Sequence, residues 1–399
     1  MTRSYECNLD SQRISIEYTD YALEKIREIT RIYSVPIEDY ICHMPIPSRR
    51  YYVRVNLLRS SSDYVISLLK KEGYVFLKDG RIEEAIYTFV EGPYHLDKKP
   101  EKYVVVDKYT VESVLLGANV YAPGVLKVHG SVGDEVAIMD SKGAVFGYGR
   151  LVNNPLKTGE KTGLAVVTEK SLFKTPKLRE TSAFTDGYIY DQSLPSMMVA
   201  RSLEPSQGDI VIDLTASPGG KITHAYELSG GKALVIGIDR SLKKVERIEK
   251  NAQRLGHNIY TLVYDSRKIH EYLPTLRANK IIVDPPCSDL GRRPKTSLLL
   301  TEESLKNLVA LQRSILKAAS KIALPGGLIV YSTCTLTFEE NEGNAEWAIR
   351  ELGLVPEEPP IPIPQTMLSE YPFSRFTPYV MDTPGFFIAL LKKKLTNRY

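Results

Sequence analysis

Residues 210–221 read IVIDLTASPGGK. The β-branched run has strand character and ends in Asp213, and Pro-Gly-Gly follows just before a helical stretch. Glycines let a backbone approach a ligand closely, and a helix N-terminus supplies N–H donors, so the turn suits a nucleotide-type ligand. It is not GxGxxG, which disfavours a dinucleotide, nor GxxxxGK[ST], which disfavours a P-loop. A tight βα connection with no ligand is the plain alternative.

Four more apolar runs of strand length follow: ALVIGID (233–239), YTLVYD (260–265), KIIVDPP (280–286) and GLIVYSTC (327–334). Helical stretches lie between them, at 242–256 and 303–324. Strands alternating with helices imply a parallel, doubly wound sheet with its functional loops at the carboxyl ends of the strands. Three successive runs end in acids, Asp213, Asp239 and Asp265. The second is placed to accept a ribose hydroxyl pair. The set predicts a nucleoside-bearing cofactor, and S-adenosylmethionine fits better than a dinucleotide because the pyrophosphate fingerprint is absent.

Upstream the texture differs. Leu23, Ile26, Ile29 and Ile32 form a helical stripe behind the N-cap candidate Thr19. YYVRVNLL (51–58) reads as a strand, and residues 60–73 as a helix closed by Gly73 at C′. Residues 97–102, DKKPEK, read as a linker. From 103 to 178, short Val-rich runs alternate with glycine turns, the signature of a compact β-barrel or sandwich.

Composition sets the bounds. The chain has 399 residues, 43% hydrophobic and 25% charged, which excludes a disordered or fibrous protein. A net charge of +4 permits a polyanionic partner without requiring one. No apolar run is long enough to span a membrane and the N-terminus lacks a secretory h-region, so a cytoplasmic protein is expected; a monomer is expected as well. The cysteines at 7, 42, 287 and 334 are far apart and form no CxxC. Reduced thiols and no metal site are expected.

Two of those cysteines lie at strand ends, Cys287 after Asp284-Pro-Pro and Cys334 after Ser-Thr. Either alone reads as a small buried apolar residue. Together, beside a carboxylate and a cofactor turn, they suggest chemistry. A thiolate is the best side-chain nucleophile near neutral pH, and C6 of a pyrimidine is an electrophile it can attack. In the barrel, Tyr121 beside Asn119, with Pro123 and Gly124 shaping the turn, offers a stacking platform for a terminal base. A core aromatic is the other reading of Tyr121. Lys142, Arg150 and Lys157 lie on connections where phosphates could be met.

DLTASPGGK, VDPPCSDLG, YSTCTLTFEENE and RFTPYVMDTPGFFIA (375–389) resemble the Sun-domain family of RNA cytosine-5 methyltransferases, through nearly all of 181–399. YYVRVN with the helix after it resembles the family's RRM-like element, and GANVYAPGVL with GDEVAI resembles a PUA domain. A PUA domain in this position resembles the subgroup that modifies the tRNA acceptor end. The resemblance implies a Rossmann-like α/β methyltransferase domain (179–399), an α+β RRM-like N-terminal region (1–102) and an inserted PUA domain (103–178). It also implies roles. Cys334 is the expected nucleophile, Cys287 the product-release residue, Asp284 the contact to the cytosine edge, and Lys221 its neighbour in the cofactor turn. Ala216, Ser217, Pro218, Gly219, Gly220, Lys221, Asp239, Lys244, Asp265 and Asp284 are expected to line the S-adenosylmethionine pocket. Asn119, Tyr121 and Lys142 are expected to meet tRNA. TASPGG replaces the family's common CAAPGG, Tyr379 stands where many members carry His, and Leu116 stands where a relative of the subgroup can carry Arg. The rivals are a ribosomal RNA cytosine-5 enzyme, a methyltransferase acting on an exocyclic amine, and a catalytically silent RNA-binding assembly factor. An exocyclic-amine enzyme would place an aromatic where Cys287 stands.

Overall fold

The computed structural model describes residues 2–9, 12–96, 101–361 and 363–395. The chain forms two compact units, each assembled from separated stretches: 1–51, 89–177 and 292–301 in one, and 52–88, 178–291 and 302–399 in the other. The N-terminal region expected at 1–102 is therefore divided between them. The physical reason lies in strand pairing. The strand Gln12–Thr19 pairs with Ser297–Leu298, whereas Val53–Val55 pair with Ile189–Asp191.

In the second unit, five parallel strands carry the fold: Tyr260–Val263, Leu234–Asp239, Ile210–Asp213, Ala278–Val283 and Ala323–Thr333, in that spatial order. The antiparallel strand Phe386–Lys393 follows, then Leu354–Glu357. Neighbouring residues alternate between two cores. Val211, Ile282 and Val330 face one, with Ile222, Ala225 and Ile248 of the covering helices. Ile212, Ile281 and Ile329 face the other, with Ile315, Leu316 and Ala345. A strand buried on both faces must be apolar throughout, which is why these runs show no polar alternation. The order reverses between Ile210–Asp213 and Ala278–Val283, and sheets of this kind bind ligands at the carboxyl ends beside such a switch point. A small sheet in the same unit runs Ile189–Asp191, Arg50–Val55, Ala85–Phe89, Leu77–Lys78.

In the first unit, Thr2–Leu9 and Gln12–Thr19 form a hairpin that the sequence reading did not anticipate. Thr19 does cap the helix Asp20–Ile32, accepting from Ala22 N at 3.1 Å. Cys7 and Cys42 form a disulfide, Cα atoms 5.3 Å apart, which corrects the expectation of four reduced thiols. The hairpin and the helix Ile37–His43 carry the two sulfurs together across 35 residues, a closeness that spacing alone does not reveal. Residues 103–171 supply a six-stranded sheet in the order Val120–Tyr121, Leu164–Ser171, Val145–Leu151, Glu135–Met139, Tyr103–Val106, Val125–His129. Residues 97–100 of the expected linker lie outside the described residues.

Candidate active site

The carboxyl edge of the parallel sheet gathers nearly all the chemistry. After Asp213 the chain turns through Ala216 and enters the helix Gly220–Leu228. Gly219 is the helix N-cap at φ +110°, a left-handed conformation that L side chains resist. Gly237 on the next strand leaves little room for a side chain. A Cβ there would stand 3.1 Å from Ala216 Cβ.

Asp239 ends that strand and is only 7% exposed. Oδ1 accepts from Ser241 N at 3.2 Å, and Lys244 Nζ stands 3.7 Å from Oδ2, beyond a good hydrogen bond. A buried carboxylate with spare accepting capacity beside a glycine turn fits a ribose diol. Asp265 is differently placed. Arg267 grips both its oxygens, and that hydrogen bonding holds its carboxyl below the usual range.

Lys221 and Asp284 face each other from the first helix and the fourth strand's loop, with Nζ–Oδ2 at 2.5 Å. Burial works against the lysine's charge, but the Asp284 carboxylate outweighs it and its pKa rises. Ser332 Oγ donates to Asp284 Oδ1 at 2.7 Å, and Asp284 N donates to Thr215 Oγ1 at 2.9 Å. Both oxygens of Asp284 are thus fixed in direction before any ligand arrives. Asp213, fully buried behind them, has its pKa pushed up to about 7 by desolvation.

Cys287 and Cys334 lie side by side, Sγ–Sγ 3.3 Å. Cys334 Sγ also lies 3.3 Å from Asp289 Oδ1. The neighbouring Cys287 thiol, then burial, then the nearby carboxylates push the Cys334 thiol well above its ordinary range. The resting nucleophile candidate is a thiol, so its proton must leave as a bond to sulfur forms. A buried polar frame holds both loops. Glu340, 0% exposed, accepts from Ser288 N, Gln312 Nε2 and Thr337 Oγ1 at 2.9, 2.9 and 2.7 Å. Gln312 Nε2 also donates to Pro286 O at 2.9 Å. Arg375 of the RFTPY stretch forms a fully buried pair with Glu342 and donates to Leu336 O at 2.7 Å.

The structure therefore brings together Ala216–Lys221, Asp239, Lys244, Asp284, Cys287 and Cys334. Ser332, Thr215, Glu340, Gln312 and Asp289 were missed from sequence. Ser332 adjoins the cysteine motif and could have been found from that position, whereas Gln312 lies inside an ordinary amphipathic helix and gave no signal. In the other unit, Tyr121 is 55% exposed, so it is not a core aromatic. Asn119 Oδ1 accepts from Thr168 N at 3.0 Å. Lys142 Nζ is engaged by Ser15 Oγ and Glu17, both at 3.1 Å.

A Rossmann-like sheet with a glycine turn, a buried carboxylate at the next strand end and a thiol pair at its carboxyl edge fits a methyltransferase. The family model described as 16S rRNA methyltransferase RsmB/F matches residues 200–392, and the PUA domain model matches 102–160. The tRNA (cytosine(72)-C(5))-methyltransferase of Pyrococcus horikoshii is 43% identical over 356 residues, covering 87% of this chain and 90% of that protein. The Homo sapiens tRNA (cytosine(72)-C(5))-methyltransferase NSUN6 is 30% identical, with 81% and 78% covered. The crystal structure of NSun6 from P. horikoshii with SFG superposes with a TM-score of 0.83 at 39% identity, covering 94% of this chain and 98% of that one. The chain belongs to the RsmB/F family of RNA cytosine-5 methyltransferases, in its PUA-containing branch. Among the described residues, no helix is long and apolar enough to cross a membrane.

Proposed function

We propose that this protein transfers a methyl group from S-adenosylmethionine to C5 of a cytosine in the acceptor stem of tRNA, next to the CCA end. The thiol pair at 3.3 Å beside the Lys221–Asp284 pair carries the reading. Relatives named for cytosine 72 of tRNA, spanning most of this chain, support that position over a ribosomal site.

Cys334 forms a bond from sulfur to C6 as its proton passes to the Asp289 carboxylate, whose Oδ1 lies 3.3 Å from Sγ. C5 thereby gains the electron density needed to accept a methyl group. When bound, the sulfonium supplies that methyl as an electrophile. Cys287 then takes part in removing the C5 proton, the S–C6 bond breaks, the aromatic ring is restored, and the released Cys334 sulfur takes up a proton to return to the resting thiol. Asp284 accepts from the N4 amine of the cytosine and supports protonation at N3, its carboxylate oriented by Lys221 and Ser332. Asp239 takes the ribose hydroxyls, and the N–H groups of the glycine turn line the donor's pocket. Attack perpendicular to the ring requires an unstacked base, so an end that opens easily is favoured.

In this reading residues 103–178 bind the 3′ end through Tyr121, 1–102 include the RRM-like element, and 179–399 form the catalytic domain. The barrel raises the local concentration of the acceptor stem because it shares a chain with the thiols. The protein acts as a cytoplasmic monomer, without a metal. Tritium transfer from labelled donor into full-length transcript, the same transcript lacking CCA, and ribosomal RNA tests this, with the methylated base mapped. Severe loss without CCA and a product at position 72 are expected. Equal labelling with and without CCA overturns the acceptor-end reading, and label in ribosomal RNA alone overturns the tRNA reading.

A further inference from the structure

The strand Arg50–Val55 reads RYYVRV and lies in the small sheet of the catalytic unit, where Arg54 pairs with Tyr190. Arg54 is fully buried, at 0% exposure. A guanidinium persists there only if acceptors surround it. Four do. Nη1 donates to Gln192 Oε1 and, at 2.6 Å, to the carbonyl of Gly220. Nη2 donates to Thr223 Oγ1 at 2.8 Å and to Glu227 Oε1 at 2.9 Å. The Tyr190 ring lies 5.0 Å from the guanidinium carbon and closes the remaining face.

Two of these contacts reach the glycine turn. Arg54 holds the Gly220 carbonyl directly. It holds the Gly219 carbonyl through Thr223, whose hydroxyl donates to Gly219 O at 2.7 Å while accepting from Arg54. A peptide unit is planar, so fixing a carbonyl fixes the N–H of the next residue. The two carbonyls therefore set the N–H directions of Gly220 and Lys221. Glycine backbones are the freest of all, and a Gly-Gly turn left to itself samples many orientations. The helix bond from Thr223 N already restrains the Gly219 carbonyl at 3.0 Å, and the outside clamp narrows the freedom that remains before a ligand binds; preorganised donors bind more tightly.

We infer that Arg54 is a positioning residue for the methyl donor: it clamps the Gly219–Gly220 carbonyls so that the turn presents fixed N–H groups to S-adenosylmethionine. The inference rests on the reading that this turn holds the donor. It gives the small N-terminal sheet a task in donor binding that is separate from any contact with RNA.

Two variants test it. Arg54→Lys keeps the charge opposite Glu227 but loses the fork. Arg54→Met/Glu227→Gln removes both charges, so neither is stranded. Calorimetric affinity for S-adenosylmethionine is measured on each full-length protein, with KM for donor, KM for tRNA and kcat at saturating donor. Donor affinity is expected to fall about tenfold in the double variant and about threefold in Arg54→Lys, while KM for tRNA and kcat stay within about twofold. Unchanged donor affinity in a folded double variant overturns the inference. If that variant does not fold, unchanged affinity in Arg54→Lys overturns it instead. Equal loss of tRNA and donor binding also overturns it, because a general structural role moves both. Failure of the unaltered chain to bind S-adenosylmethionine overturns the donor reading itself, and this inference with it.

Discussion

The thiol edge and the PUA turn are built in opposite ways. At the thiol edge, Lys221 comes from the helix Gly220–Leu228, Asp284 and Cys287 from one loop and Cys334 from another, and each is held by other side chains. At the PUA turn, Asn119 to Gly124 are contiguous, and the key ring stands exposed. Gly124 lets that turn lie against the Thr110 side chain, since a Cβ there would meet Thr110 Oγ1 at 1.9 Å. An interlocked site should fail completely when one member is removed, whereas a contiguous platform should weaken by one contact's worth.

The largest expected effect is at the thiols. Cys334→Ala should give neither methylation nor a covalent RNA–protein adduct. Cys287→Ala should accumulate an adduct that survives denaturation, because the bond to C6 forms but is not released. Denaturing gels with labelled tRNA read both outcomes, and an adduct seen only in Cys334→Ala would reverse the assignments.

Asp239 and Asp265 sharpen the contrast within the sheet edge, since both looked equivalent as strand-end acids. Asp239→Ala should weaken S-adenosylmethionine by at least about tenfold, as charged hydrogen bonds contribute roughly 1.5–3 kcal/mol each. Asp265→Ala should cost less than about threefold, because Arg267 already occupies both oxygens of Asp265. Calorimetry giving equal losses would mean that Arg267 yields to the ligand.

The difference between these regions also explains what could be read from the chain. Strand runs, Thr19 as a cap and Gly73 past a helix end follow from local patterns, and the structure has them. The glycine turn and the two cysteine motifs were legible because backbone-built loops need particular residues at fixed spacing. Side-chain partners across long separations were not. Arg54 reaches Gly220 over 166 residues, and Gln312 reaches Glu340 through folding alone. The Thr2–Thr19 hairpin was missed although Tyr5, Cys7 and Leu9, then Ile14 and Ile16, alternate with polar residues as half-buried strands do, and its disulfide depends on that hairpin. Lys142 looked like a phosphate contact by charge, yet its ammonium is already paired with the same hairpin.

Tyr121→Ala should have a moderate effect. One base stacked on an exposed aromatic contributes roughly 1–3 kcal/mol, so KM for tRNA should rise by about fivefold or more. The kcat at saturating tRNA should stay unchanged, since no group at the thiols is touched. Fluorescence anisotropy with an acceptor-stem minihelix measures the binding step. A fall in kcat without a change in affinity would remove Tyr121 from the docking surface.

The smallest expected effect is in stability, and it has opposite signs in the two units. In the PUA sheet, Asp134 is half-buried and accepts from Lys102 Nζ at 2.6 Å and Ser131 N at 2.7 Å, which lower its pKa. A depressed acid stabilises the fold above its unfolded pKa, and that contribution disappears as pH falls through the folded value. Solvent screening keeps it small. Asp213 is the reverse case. Burial pushes it up to about 7, against the single backbone donor Thr215 N at 3.0 Å and the charge of Lys221. The folded state then holds a proton that the unfolded chain releases above the ordinary value of 3.8. Stability from this group is full below that value and is lost as pH rises to about 7, beyond which the penalty is constant. Asp213→Asn keeps the acceptor for Thr215 and removes the ionisation. Its melting temperature should match the unaltered protein at a pH of about 4 and exceed it by at least about 2 °C at a pH of about 8. Asp134→Asn should show a slight loss at the higher pH and none at the lower. A lower melting temperature for Asp213→Asn at high pH would mean that the charged carboxylate beside Lys221 stabilises the sheet edge, and the comparison between the two units would lose its sign.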